Sequence, residues 1–252
     1  MKLLVTVRQI PRRFVAIGIL GLMALSIIAP STAFAATTAT QKCAPADTQC
    51  FIAAGDHYIA QRQAALTTLS GKITARRNEN LITSDQANAL QADVGTNQSG
   101  LASLKSKLDA EKNAQAARQD VQNIFLQFRI FAVVLPRDYR RLYLDMAVNV
   151  DIKLRNLAPK VQQAINNAPP GEKAQLKTLF NDYKNQLTTA ESQFDSAQGD
   201  FPALTPANYN YNRTTYTATL AKLDTALHII HTALHQARND IHQIAKILKG
   251  NK

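Results

Sequence analysis

The chain has 252 residues, 46% hydrophobic and 6% aromatic, with two Cys, no Trp and only nine Gly. So few glycines, beside abundant Ala, Leu, Gln, Asn and Lys, argue against a turn-dense β-sandwich and favour long helices. The formal charge is +11, but no cluster of Lys and Arg interleaved with aromatics occurs, which argues against a nucleic-acid-binding arm.

Residues 1–35 read as a secretory signal peptide. Lys2, Arg8, Arg12 and Arg13 form a basic start, Phe14 to Ala29 is an uncharged apolar run, and Ala33-Phe34-Ala35 supplies a small-x-small cleavage site. The alternative is an uncleaved anchor, although the run is short of the ~20 residues a membrane span needs. Cleavage removes four basic residues and no acidic one. That leaves 25 Lys and Arg against 18 Asp and Glu, a net of +7. The expectation is an exported protein, extracellular or associated with the cell envelope. No transmembrane helix is expected after cleavage. Solubility is the first reading of the charge. Salt-sensitive attraction to an anionic polymer or lipid surface is the second.

Cys43 and Cys50 follow the cleavage site, and export makes a disulfide the default. On one helix their Cα atoms would lie about 10 Å apart, too far to bridge. Cys43 must therefore precede the helix, with Asp47 as its N-cap.

The first helix is predicted from about Asp47 to Arg77. Ile52, Ile59, Leu66 and Ile73 recur every seven residues, a seam of coiled-coil type. Asn78-Glu79-Asn80 breaks it, and Thr83 with Gln86 fits a capping box for a second helix. Leu90, Val94, Leu101, Leu104 and Leu108 continue the seam, giving an antiparallel hairpin. Gly95 and Gly100 should weaken the second helix, with a bend. From Asp109 to Asp120 the apolar face fades but no Pro or Gly intervenes. The second helix is therefore expected to continue into the densest apolar stretch, Val121 to Leu135. There Val121, Phe125, Phe128, Ala132 and Leu135 share a face, and Pro136 marks the corner. The third helix should span about Arg137 to Asn167 with a kink at Pro159. Ala168-Pro169-Pro170-Gly171 is a turn. A fourth helix carries Leu176, Phe180, Tyr183, Leu187, Ala190, Phe194 and Ala197, ending at Gly199-Asp200-Phe201-Pro202. A loop to about Asn212 leads to a last helix with Leu220, Leu223, Leu227, Ile230, Leu234, Ala237, Ile241, Ile244 and Leu248 in heptad order.

The predicted fold is all-α: an elongated antiparallel helical bundle with an N-terminal coiled-coil-like hairpin. Its predicted divisions are the signal peptide 1–35, a segment and hairpin over 36–116, and a four-helix bundle over 117–252 that shares the long second helix.

Candidate sites are few. His228, His231 and His235 lie three and four residues apart and could offer imidazoles to Zn²⁺, Cu²⁺ or Ni²⁺. His228, His235 and His242 fall one heptad apart beside the apolar seam, which favours a polar flank instead. Arg129, Arg137, Arg140 and Arg141 around the proline corner, with Tyr209 and Tyr211 in the loop, form a candidate partner surface. The competing reading pairs the arginines with nearby acids and uses the tyrosines to close the bundle. No phosphate loop, nucleophile elbow or zinc-protease motif is present. The expectation is a non-enzyme without cofactor that binds an envelope protein, or else an anionic polymer or membrane surface. A metal-responsive bundle is the distant alternative.

The pattern Asp120-x3-Ile124-x4-Arg129-Ile130-x-Ala132-x3-Pro136, with Leu248-Lys249-Gly250 near the end, resembles a group of exported bacterial helical proteins. The resemblance implies export and an all-α fold. It implies no functional residue, and Leu144-Asp145-Met146-Ala147 departs from the Ala-Ala-Asp run associated with that position.

Overall fold

The computed structural model describes residues 43–250, all helices and turns with no strand among them. The predicted signal segment 1–35 lies outside the described residues. Cys43 and Cys50 lie at disulfide distance, with Cα atoms 5.5 Å apart. The geometry follows from Asp47, whose carboxylate accepts from the Cys50 N–H and starts α1 (Thr48–Asn78) only after the chain has turned.

The predicted capping box opens α2 (Ser84–Asp109). Thr83 Oγ1 accepts from the Gln86 N–H, and the Gln86 side chain accepts from the Thr83 N–H. Ile59, Leu66, Leu69 and Ile73 of α1 are fully buried against Leu90, Val94 and Leu101 of α2. Polar pairs fix the antiparallel register: Ser70 with Gln91, Thr67 with Gln98, and Asp56 with Lys105. Gly95 and Gly100 do not interrupt α2. Gly100 admits the ring of Phe128, which a Cβ there would meet at 2.6 Å.

The second helix does not continue into the apolar stretch. It ends at Asp109, and Asn113 caps a separate α3 (Ala114–Asn123) by accepting from the N–H groups of Gln115 and Ala116. No Pro or Gly marks this break. The stop comes from a cap residue, which offers the backbone a local alternative to the helix. α3 returns along α1, and Gly55 leaves room for side chains of both α2 and α3. A Cβ there would lie 2.2 Å from Leu108 Cδ2 and 3.1 Å from Val121 Cγ2. The buried carboxylate of Asp120 accepts from Lys107 Nζ at 2.6 Å and clips α3 to α2.

The corner also differs from the expected place. It falls at Arg129, between two π-helical segments, Ile124–Phe128 and Ile130–Val134. Pro136 sits in the first turn of α4 (Leu135–Asn166), where its missing N–H costs nothing. The π spacing and the left-handed residue rotate the apolar face. Ile124, Ile130, Val133, Val134 and Leu135 are buried, whereas Phe125 is 37% exposed.

α4 runs through Pro159 without ending. It packs on the hairpin through Arg141 to Asp93, Asn149 to Gln86 and Lys153 to the Asn80 carbonyl. These pairs run antiparallel to α2. On its other side it meets α5 (Pro170–Asp200), where Tyr183 donates to the Leu154 carbonyl and Arg155 to that of Leu187. A 3-10 turn (Phe201–Ala203) follows. The expected loop contains a short helix, α6 (Pro206–Tyr211), capped by Thr205. α7 (Arg213–Gly250) then packs along α5 and beside α4. Leu223, Leu227, Ile230, Leu234, Ala237 and Ile244 form its buried stripe. No helix among the described residues is long and apolar enough to cross a membrane.

Candidate functional site

The turn at Arg129 is built from a strained backbone and the groups that hold it. Arg129 has φ 46° and ψ 37°, a left-handed conformation that side-chain-bearing residues seldom adopt. Its carbonyl accepts from the N–H groups of Ala132, Val133 and Val134. Its Nε donates to Asn210 Oδ1 at 2.8 Å, and Asn210 Nδ2 donates to the Leu126 carbonyl at 2.7 Å. One amide thus locks both sides of the corner to α6. The Arg129 guanidinium lies 4.8 Å from the centroid of Tyr209, and that of Arg213 lies 3.5 Å from the same ring. Tyr209 packs edge-on against Tyr216 at 5.1 Å, and Tyr216 donates to the Ala132 carbonyl.

The structure therefore brings together two candidates that sit far apart in the chain, Arg129 and Tyr209. Tyr211, beside the clamping Asn210, is 89% exposed. Phe125 and Leu126 are also exposed, at 37% and 43%. The remaining arginines are taken up by acids. Arg137 bonds to Asp138 at 2.7 Å, Arg141 reaches Asp93 at 3.2 Å, and Arg140 holds Asp224 with two bonds of 2.6 and 3.0 Å. For these three the pairing reading describes the observed geometry. Asp138 is fully buried, and desolvation raises its pKa against the opposing pull of Arg137.

The three histidines of α7 do not converge. His231 lies beside the Tyr143 ring and stacks on His235, while His235 contacts the Asn239 side chain and His228 is exposed. Among the described residues no group of three or more His, Cys, Asp or Glu is placed to hold a metal ion.

Arg62 went unnoticed in the sequence. It occupies the seam between Ile59 and Leu66, three residues after the former, and is only 6% exposed. Its guanidinium carbon lies 4.5 Å from the Phe125 ring centroid, 5.2 Å from that of Phe131 and 5.9 Å from that of Tyr58. Nη1 donates to the Tyr58 carbonyl, while Nε is buried without a partner. Desolvation pulls its pKa down to about 10. The signal was present: a cation in an apolar heptad slot is either a register device or an error of periodicity. Here it supports Phe125 from below, so that the exposed ring has a fixed underside.

Comparison with protein-family models, with curated proteins and with solved structures finds no match for this chain.

Proposed function

We propose that the protein is a non-catalytic, exported helical interaction module whose contact face is the Arg129 corner. The observation that carries this reading is the exposure of Phe125, Leu126 and Tyr211 around a turn clamped by Asn210 and flanked by Arg129 and Arg213. Neither arginine has an acid partner among the described residues. Both lie on Tyr209 instead, so their charge is still available to a partner. Aromatic residues and Arg are the side chains enriched at protein interfaces and their energetic centres. The clamp lowers the ordering cost that a mobile loop would pay on binding. Export rests on the N-terminal pattern Lys2 to Ala35.

A photo-cross-linking residue at position 211 should capture one envelope or extracellular protein reproducibly. The same residue at position 178, on the exposed side of α5, should not. Leu126→Asp should abolish capture while leaving the helical circular dichroism unchanged. Equal capture from both positions, or capture indifferent to Leu126→Asp, would reject the surface. The second reading, an anionic polymer or lipid surface, draws on the same two arginines and on the net charge of +7 left without residues 1–35. It expects retention on envelope material that falls steeply with salt and does not respond to Leu126→Asp.

A further inference from the structure

A cleft of about 310 Å³ opens beside the N-terminal half of α4, with no residue of the Arg129 corner in its lining. Asp85, Gln86 and Ala89 from the first turns of α2 form one wall. Arg141, Leu144, Asp145 and Val148 of α4 form the floor, and Phe194, Gln198 and Phe201 close the α5 side. Its size is at the lower end of the range typical of small-molecule sites.

The charges in it are unequal. From α2 the cleft receives Asp85, and from α4 it receives Asp145 and Arg141. From α5 and the turn after it come two phenyl rings and an amide, without charge. Arg141 is committed to Asp93, outside the lining, at 3.2 Å. Gln86 is likewise spent: its Oε1 accepts from Thr83 N–H and from Asn149 Nδ2, each at 2.8 Å. Asp145 is the exception. Its backbone carbonyl accepts from Asn149, but its carboxylate has no hydrogen-bond or ion-pair partner among the described residues. A half-buried carboxylate left unpaired is costly. Each buried acid has a donor on one carboxylate oxygen, Asp120 from Lys107, Asp138 from Arg137, Asp151 from Arg155, Asp200 from Lys222 and Asp240 from Gln236, and keeps its other oxygen unmatched, whereas Asp145 has a donor on neither.

We infer that this cleft binds an alkylammonium group, the ammonium on Asp145 and its apolar stem against Phe194, Phe201, Leu144 and Val148. An ammonium supplies the donors that Asp145 lacks, and a second acid, Asp85, adds to the negative potential at the α2 wall. The phenyl rings favour a cation with an aliphatic stem over a strongly hydrated inorganic ion. An anion would meet two carboxylates and one arginine already engaged. Desolvation raises the Asp145 pKa to about 6, Arg141 opposing it. Occupancy should therefore weaken as the solution is acidified through that value, because the protonated acid no longer attracts a cation.

The test is a ¹H–¹⁵N titration of the full chain with hexylamine, repeated with hexanoate and with N-acetyl-lysine amide. Expected are shifts confined to amides of the cleft with hexylamine and none with hexanoate. Affinity should fall at least tenfold from pH 7.5 to pH 5, and at least tenfold in Asp145→Asn. N-acetyl-lysine amide distinguishes the source of the group: shifts there indicate a lysyl side chain of a partner, and their absence a free amine. Ala89→Leu keeps every charge, narrows the cleft and should also weaken binding, which guards against a folding defect in Asp145→Asn. Hexylamine shifts scattered over the surface, equal binding of hexanoate, or unchanged affinity in both variants would overturn the assignment.

Discussion

Asp145 is half-buried and Arg62 is buried, neither has an ion-pair partner among the described residues, and each makes a measurable claim. For Asp145 the native pKa of about 6 lies above the ordinary carboxylate value. Between those two values the folded chain holds a proton that the unfolded chain has released. Its contribution to stability is therefore full in acid and is lost as pH rises through about 6. Asp145→Asn should stabilise the protein by about 1 kcal/mol at pH 7.5, a figure discounted because the group is partly exposed, and by nothing at pH 3.5. Urea unfolding at the two pH values reads the difference. A binding residue that costs stability is the usual compromise of a ligand site. For Arg62 the cost of burial is met by ring faces and one carbonyl instead of a carboxylate. Arg62→Ala should destabilise by about 2–3 kcal/mol, since it empties the space under Phe125 and Phe131. Arg62→Met keeps most of the volume and removes a desolvated charge, so its cost should stay below about 1 kcal/mol. Thermal melts of both variants decide whether packing or charge dominates.

At the scale of elements, the hairpin followed its sequence closely and the segment after it did not. Asp47, Thr83 and Gln86 were legible as caps because each acts on its own next turn. The heptad positions Ile59, Leu66, Ile73, Leu90 and Leu101 were legible because one face meets one neighbour. The stop after Asp109 was missed, since Asn113 reads as an ordinary helix residue unless its side chain is seen to accept from the backbone. Gly55 of α1 offers no Cβ, which leaves room for Leu108 of α2 and Val121 of α3. Gly55→Ala should gain up to about 1 kcal/mol of helix propensity and lose about 1–3 kcal/mol to the overlap with Leu108. The expected net is destabilisation, with hydrogen exchange rising first where the end of α2 and α3 pack on Gly55. At the corner, Pro136 drew attention because proline restricts its neighbours, yet the chain turns seven residues earlier at Arg129. The cost of that left-handed residue is met by Asn210 and Tyr209, which come from a segment about eighty positions later. Local sequence has no means of reporting such a partner.

For the whole molecule, α4 is the element that joins the rest. One side carries the contacts to α2 from Asp93 through Gln86 to Asn80, and the other carries Arg155 and Leu154 against α5. Leu142, 5% exposed, belongs to the same buried cluster as Ile59, Leu66 and Leu101 of the hairpin. Leu142→Ala should cost about 2–4 kcal/mol. Calorimetry should show the loss in one transition, with hydrogen exchange rising in α1 and α7 together. Two separate transitions would instead assign independent stability to the hairpin and to the α5–α7 pair.

The sequence by itself determined the helical class, the capped start of the first two helices, the pairing of Cys43 with Cys50 and the apolar stripes of α5 and α7. All of these depend on short-range spacing, with periods of three, four and seven residues. Only the tertiary structure decided that Arg129 meets Tyr209, that Arg137, Arg140 and Arg141 are consumed by Asp138, Asp224 and Asp93, and that Asp145 is left unpaired in a cleft between three helices. The physical reason is that pairing and desolvation are properties of neighbours in space. An arginine or a carboxylate has the same letter whether its partner is present or not. Its availability for function is fixed only when distant helices either supply that partner or withhold it.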